Sequence, residues 1–183
     1  FSCDSISEDN LDASRRITRH LIDLGHRRIA VVNGTLSVST STLRHVGYLA
    51  ALREAGIPAD PRLVVDAGNG TAYQATTRLL ETLPRGEWPT AMYCTNNRRA
   101  EDTLHALFAR DLTIPGDMSI VSYGEISLPW MLGTRLTHVD QDLLALGKRA
   151  GDMTVRRIGG DVPYAVEILK SEIVYGNSVR TIR

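Results

Sequence analysis

Arg44 is the side chain in this sequence with the most binding chemistry to offer. Its planar guanidinium can hold two oxygens of a sugar or a carboxylate at once, which a lysine ammonium does less well. It stands near the start of a helix-like stretch, after a loop at 35–42 built almost wholly of Ser, Thr and small apolar residues. Ser37, Ser39 and Thr40 in that loop add hydroxyls that could line a site. Asn96, in Cys94-Thr95-Asn96-Asn97, falls where a strand-like run ends and a helix begins. Its amide can donate to and accept from vicinal hydroxyls, or it can cap the helix instead.

Catalytic and metal chemistry find little support. His20, His26, His45, His105 and His138 are scattered and follow no metal-ligand spacing. His26, after Leu24-Gly25, reads as a helix-end residue that satisfies carbonyls. There is no Gly-x-Ser-x-Gly, no phosphate-cradling glycine loop and no dinucleotide fingerprint. Glu125 has no nucleophile or metal set beside it. We therefore expect a binding protein rather than an enzyme, with no catalytic residue, metal or cofactor.

Composition narrows the partners. The 21 Lys and Arg residues balance 21 Asp and Glu, whereas a free-standing DNA-binding module is clearly basic. This stretch by itself is not expected to grip nucleic acid. Arg15, Arg16 and Arg19 read as the solvated face of a helix rather than a phosphate grip. Cys3 and Cys94 form no metal-type pair and are expected to be buried free thiols in a reducing cytosol. No apolar run approaches the ~18 residues of a membrane-spanning helix, and no basic-then-apolar leader opens the chain. Phe1 as the first residue suggests a fragment or a processed product. The 183 residues, 43% of them hydrophobic, suffice for one core or two small lobes.

The elements that must position these residues alternate. After a polar, irregular stretch at 1–10, apolar spacing predicts helices over 12–24, 42–55, 71–83 and 98–110. Leu43, Val46, Leu49, Ala50 and Leu52 are expected to form the buried stripe of the second of these. Strands are predicted at 29–32, 63–65, 90–94 and 118–123. The first of these is almost wholly apolar, as in a parallel strand covered on both faces. Short connections with this alternation predict an α/β fold, a parallel sheet with helices on both faces. An irregular segment at 125–134 breaks the rhythm, and a strand at 136–139, a helix at 142–158 and an extended segment at 165–174 follow.

Several motifs agree with one known pattern. LGHRRIAVVNG at 24–34, then Arg44-x-x-Gly47-Tyr48 and LREAGI at 52–57, resemble the effector domain of the lactose/galactose-repressor family. PTAMYCTNN at 89–97, IPGDMSIVSY at 114–123 and LTHVDQDLLALG at 136–147 continue the resemblance in the family's order. It covers most of the chain. What it implies is a type I periplasmic-binding-protein-like fold, with two lobes crossed three times by the chain and a small effector between them. On that template residues 12–123 and 165–174 belong to the C-terminal lobe, and 136–158 to a remnant of the N-terminal lobe. Residues 1–9 and 125–134 would be crossings. The DNA-binding helix-turn-helix would lie outside the chain, in an N-terminal domain.

The resemblance also implies roles. Arg44 and Asn96 would contact the effector, with Asn97 as the cap. Asp9 or Asp12 would supply a polar contact from the crossing, and Trp130, in the other crossing, would stack on the ligand or anchor the lobes. Where the family has a hydroxyl-accepting aspartate, this chain has Gly124, followed by Glu125. Losing that charge while keeping Arg44 tilts the expected effector from a neutral sugar towards a sugar acid, unless Gly124 only makes room. The implied protein is a cytoplasmic, homodimeric transcriptional regulator with no membrane contact. It would bind a sugar or sugar acid and reach operator DNA through its N-terminal domain. A periplasmic sugar-binding protein of a transporter, which shares the fold, is the alternative.

Overall fold

Short apolar runs that alternate with helices assemble into one layer because a strand buried on both faces needs helices on both sides. A computed structural model describes residues 3–67, 70–126, 133–160 and 163–182. In chain order the elements are β1 (Ser5–Glu8), α1 (Asn10–Asp23), β2 (Ile29–Asn33), α2 (Ser39–Glu54), β3 (Val64–Asp66), α3 (Ala72–Thr82) and β4 (Ala91–Cys94). Then follow α4 (Asn97–Phe108), β5 (Ser119–Tyr123), β6 (Thr137–Val139), α5 (Leu143–Ile158), β7 (Val166–Leu169) and β8 (Ile173–Val174). The main sheet runs β3-β2-β4-β5-β6-β8 and is parallel except for the last pair. Ile29 and Val31 face α1 and α2 together with Tyr48, Ala51 and Leu52. Ala30 and Val32 face the opposite core, with Leu79, Leu80, Leu104 and Leu107 from α3 and α4.

This arrangement creates the crevice. From β2 the chain steps outward to β3, then returns to β4 on the other flank of β2. Such a reversal leaves a gap beyond the carboxyl ends of the two strands, where open α/β sheets bind ligands. Asn33 and Gly34 stand at the end of β2, and Thr95 and Asn96 follow β4.

Several expectations are corrected. Helix α2 begins at Ser39, so Ser39 and Thr40 lie in its first turn rather than in a loop. The Thr42 hydroxyl donates to the Leu36 carbonyl at 2.6 Å and helps close the entry. Its buried stripe is Arg44, Gly47, Tyr48, Ala51 and Leu52, while Leu43 and Val46 are exposed. That set has the i, i+3, i+4, i+7, i+8 spacing of one face, starting on a polar residue. Residues 5–8 are not irregular; they pair in parallel with β7. Residues 137–139, expected in the remnant of the other lobe, pair with β5 and β8 in the main sheet. The Ser178 hydroxyl locks them there, accepting from Thr137 N and donating to the Ile120 carbonyl. Conversely, β7 does not return to the main sheet; of the 165–174 segment only β8 does. Helix α5 packs on β1 through buried Met153 and leaves Leu143, Leu144, Val155 and Ile158 exposed. Trp130 lies outside the described residues.

The remaining residues singled out in the sequence have structural jobs. Arg15, Arg16 and Arg19 pair with Asp12, Glu54, Asp9 and Asp23 on the outer face of α1. Cys94 is buried, and burial pushes its thiol up to about 12, whereas Cys3 is exposed. His26 is fully buried; its ring meets the Thr90 hydroxyl at 2.9 Å and the Arg180 carbonyl at 3.0 Å, not the carbonyls of α1. Among the described residues, no helix is long and apolar enough to cross a membrane.

His26 sets a pH dependence. Burial holds its imidazole below the ordinary histidine value, so the neutral ring is the folded form, and His20 and His45 shift the same way for the same reason. The unfolded chain then binds more protons than the folded one as pH falls below ~6.5. Stability should be at its plateau above that pH and decline below it. Replacing His26 with Gln should flatten this decline in urea denaturation between about pH 7 and 5. An unchanged slope would remove His26 as its source.

Candidate functional site

Arg44 is the hub of the polar residues at the strand ends. It projects from the buried face of α2 and is only 8% exposed. Its Nε donates to Asn10 Oδ1 at 2.7 Å, and its Nη1 donates to the Thr95 carbonyl at 2.8 Å. The guanidinium lies 3.5 Å from the centre of the Tyr123 ring, stacked as a cation on an aromatic face. Its Nη2 is 3.7 Å from Glu8 Oε2. One side chain thus ties together the end of β1, the start of α1, the end of β4 and the end of β5.

Glu8 is the counter-charge. Its Oε2 accepts from Gln141 Nε2 at 2.9 Å and from the Tyr123 hydroxyl at 3.4 Å. Burial, ahead of every other cause, pushes that phenol up to about 12, so it stays protonated and can donate. The other oxygen, Glu8 Oε1, is buried without a hydrogen-bond partner among the described residues. So is Asn33 Oδ1, whose amide nitrogen donates to His45 Nδ1 at 3.0 Å. Burial keeps His45 neutral, as that bond requires. Buried acceptors without donors are rare and costly, and two in one crevice point to donors supplied from outside the chain.

A second wall lies beside them. Gly34 N donates to the Thr95 hydroxyl at 3.0 Å. A Cβ on Gly34 would sit 2.9 Å from Ser41 Oγ and 3.3 Å from Asn96 Nδ2, so these groups crowd the bare glycine backbone. Asn96, not Asn97, is the N-cap of α4: its Oδ1 accepts from Arg99 N at 2.8 Å while its amide nitrogen turns towards Gly34. Asn96 therefore takes the capping role that its position allowed, with its amide nitrogen left towards the crevice.

The structure brings Arg44, Asn96 and Gly124 to one crevice. Ser39 is exposed, and it is Ser41, one position beyond Thr40, that reaches Gly34. Asp12 is turned away: its carboxylate is held below the usual range, first by a hydrogen bond from Arg15, and it also pairs with Arg16. Its i+3 and i+4 partners lie on the outer face of α1, so that face claims it. Asp9 likewise pairs with Arg16. From this stretch it is Glu8 and Asn10 that reach Arg44, and the sequence reading missed both, along with Gln141. The alternation Ser5-Ile6-Ser7-Glu8 was the available signal, since it is a period-two strand ending on an acid. Gly124 has a φ of +89°, in the region that favours glycine, so its lack of a side chain has a backbone reason. The charge missing there is also present nearby, on Glu8, so the site is not stripped of acid.

A cavity of about 550 Å³ opens elsewhere, among Glu125, Arg135, His138 and Tyr175. It includes neither of the buried unpartnered acceptors, and the chemistry stays with Arg44. Among the described residues, no group of three or more His, Cys, Asp or Glu could hold a metal ion.

Comparison with known proteins agrees with this geometry. Residues 18–179 match the family described as periplasmic binding protein-like domain. The chain is 30% identical over 185 aligned residues to the HTH-type transcriptional repressor PurR of Haemophilus influenzae (strain PittEE), covering 98% of this chain and 54% of the relative. The chain thus spans about half the length of the curated relatives it matches. Among solved structures, a transcriptional regulator CelR–cellobiose complex superposes with a TM-score of 0.86 at 25% identity, covering 97% of this chain and 54% of that one. A LacI family transcriptional regulator from Mycobacterium smegmatis gives 0.83 at 30% identity, covering 97% and 66%. With the matched span taking in the sheet, its reversal point and Arg44, the chain belongs to the periplasmic binding protein-like domain family, in the form carried by LacI-type transcriptional regulators.

Proposed function

We propose that this chain is the effector-sensing and dimerising region of a LacI/GalR-type regulator, which binds a small sugar to control its hold on operator DNA. The observation that carries this is the pair of buried acceptors, Glu8 Oε1 and Asn33 Oδ1, beside a buried arginine at the sheet's reversal point. A sugar hydroxyl donates to such oxygens and accepts from Arg44 in the same contact. A sugar acid would bring its carboxylate against Glu8, and the acceptors would gain nothing from it. The neutral sugar is therefore the better fit, against the tilt that Gly124 suggested. Relatives of this form have been solved with cellobiose and with ribose.

The test is thermal shift on the full-length regulator with cellobiose, ribose and gluconate. Binding to the native state raises the melting temperature by mass action. A neutral sugar should raise it and gluconate should not; the reverse order would overturn the choice of ligand class. DNA contact falls to a helix-turn-helix in the N-terminal part of the full protein, which acts in the cytoplasm.

Operator reading by a pair of half-sites calls for a two-fold dimer. Leu104 is buried at 2% exposure and cannot reach a partner, but Tyr73 on α3 and Phe108 on α4 are exposed. We expect light scattering to give a dimer, and Tyr73→Asp with Phe108→Asp to shift it to monomer. A dimer indifferent to both changes would place the interface elsewhere.

A further inference from the structure

The missing side chain at 124 and the side chain of Gln141 occupy the same space. Gly124 is buried at the end of β5, where its N–H donates to the Val139 carbonyl at 2.9 Å. A Cβ built on it would lie 2.7 Å from Gln141 Oε1 and 3.7 Å from Gln141 Cδ. Contact at the shorter distance forces a side chain aside. From that seat Gln141 Nε2 donates to Glu8 Oε2 at 2.9 Å. The same carboxylate carries the orphaned Oε1. A carboxylate is planar, so fixing one oxygen against Gln141 and Tyr123 fixes the direction in which the other can accept.

We propose that Gln141 is a positioning residue for ligand recognition, seated in the room that Gly124 leaves, and that it aims Glu8 Oε1 at a ligand hydroxyl. The glycine is then neither a lost acid nor an enlarged pocket. It moves the hydroxyl acceptor from the end of β5 to the end of β1, with Gln141 as the brace. Gln141 sits between β6 and α5, while Glu8 ends β1 just before α1. The brace therefore joins the end of β1, in the two-stranded β1–β7 sheet, to the connection that leaves β6 of the main sheet, and ligand held by Glu8 bears on both. This deepens the proposed function and rests on its choice of site.

Two measurements separate failure of the brace from failure of that choice. The first needs no ligand. In NMR spectra of the full-length protein, the side-chain amide protons of Gln141 should carry the signature of a carboxylate acceptor at Glu8. Glu8→Gln should shift these resonances, and Gly124→Ala should do the same by displacing Gln141. If the Gln141 amide ignores Glu8, or if Gly124→Ala leaves the coupling intact, the brace is overturned whatever the site binds.

The second measurement is calorimetry on the full-length protein with cellobiose and ribose as probes. Gly124→Ala and Gln141→Ala should each weaken binding of the better probe on the order of ten- to a hundred-fold, the scale of a lost hydrogen bond to a charged group. The double variant Gly124→Ala/Gln141→Ala should bind no more weakly than Gln141→Ala alone, because the strain of alanine at a φ of +89° falls on folding stability, while binding is reached only through the glutamine. Losses that multiply would mean that Gly124 acts through backbone strain instead, and would overturn the coupling. Absence of binding by the unaltered protein to either sugar, with the NMR coupling present, would reject the sugar as ligand and keep the brace.

Discussion

Replacing Arg44 with alanine is expected to destabilise this chain by on the order of 3–5 kcal/mol, the cost of removing one partner from a buried ionic contact. The number is large for a single helix residue because the guanidinium serves four groups. Its loss strands Asn10 Oδ1 and the Thr95 carbonyl, uncovers the Tyr123 ring, and leaves Glu8 as a buried carboxylate without its cation. The last of these dominates, since an unpaired buried charge costs more than an unpaired neutral acceptor. Neutralising Glu8 should therefore repair much of the damage: Arg44→Ala/Glu8→Gln should be more stable than Arg44→Ala alone. Urea denaturation of the four proteins of this cycle measures the coupling directly. In the full-length regulator, the effector response should be lost at temperatures where Arg44→Ala is still folded. Equal stability of the single and double variants would show that Glu8 does not feel Arg44.

Arg44 also shows what the sequence makes legible. Apolar runs and their spacing were enough for β2, β4 and β5, which are buried along their whole length. The helices α1, α3 and α4 were found within one or two residues of their ends from their apolar spacing, and Thr71 caps α3 through a reciprocal pair with Gln74. Helix α2 was harder. Its buried face opens on an arginine and a glycine, so a search for an apolar stripe chose Leu43 and Val46, which face solvent. The candidate site was legible only in part. Arg44 and Asn96 announce themselves by type and place, but Glu8, Asn10 and Gln141 join them through contacts made by strand order. Glu8 and Gln141 are 133 positions apart, and no local pattern links them. Asp12 misled because an acid near a crossing looks like a ligand contact until Arg15 and Arg16 claim it.

Gly47 tests how tightly the site is bound to the packing beneath it. A Cβ there would run into the Leu11 carbonyl, and would lie 2.8 Å from Ser14 Cβ and 3.0 Å from Arg15 N. Two of these are backbone atoms of α1, which cannot swing aside as a long side chain can. Alanine favours a helix interior over glycine by about 1 kcal/mol, and that gain opposes the clash. Overpacking between well-seated elements costs about 1–3 kcal/mol and more when backbone must move. Since α1 and α2 share the most extensive helix–helix contact in the chain, separating them uncovers Ile17, Leu21, Tyr48 and Leu52 as well. We therefore expect Gly47→Ala to cost about 3 kcal/mol net. Gly151, in α5, has nothing within 4 Å of its would-be Cβ among the described residues. There the same substitution should stabilise by up to about 1 kcal/mol, because only the propensity remains. Opposite signs from one chemical change would assign the cost to the α1–α2 seam. Arg44 precedes Gly47 by one helical turn, so prying the seam open also pulls its Nε from Asn10, which belongs to α1. Gly47→Ala should then weaken sugar binding in calorimetry although the residue touches no ligand. Full stability in that variant would show that α1 and α2 have slack, and that the arginine is held by its polar partners alone.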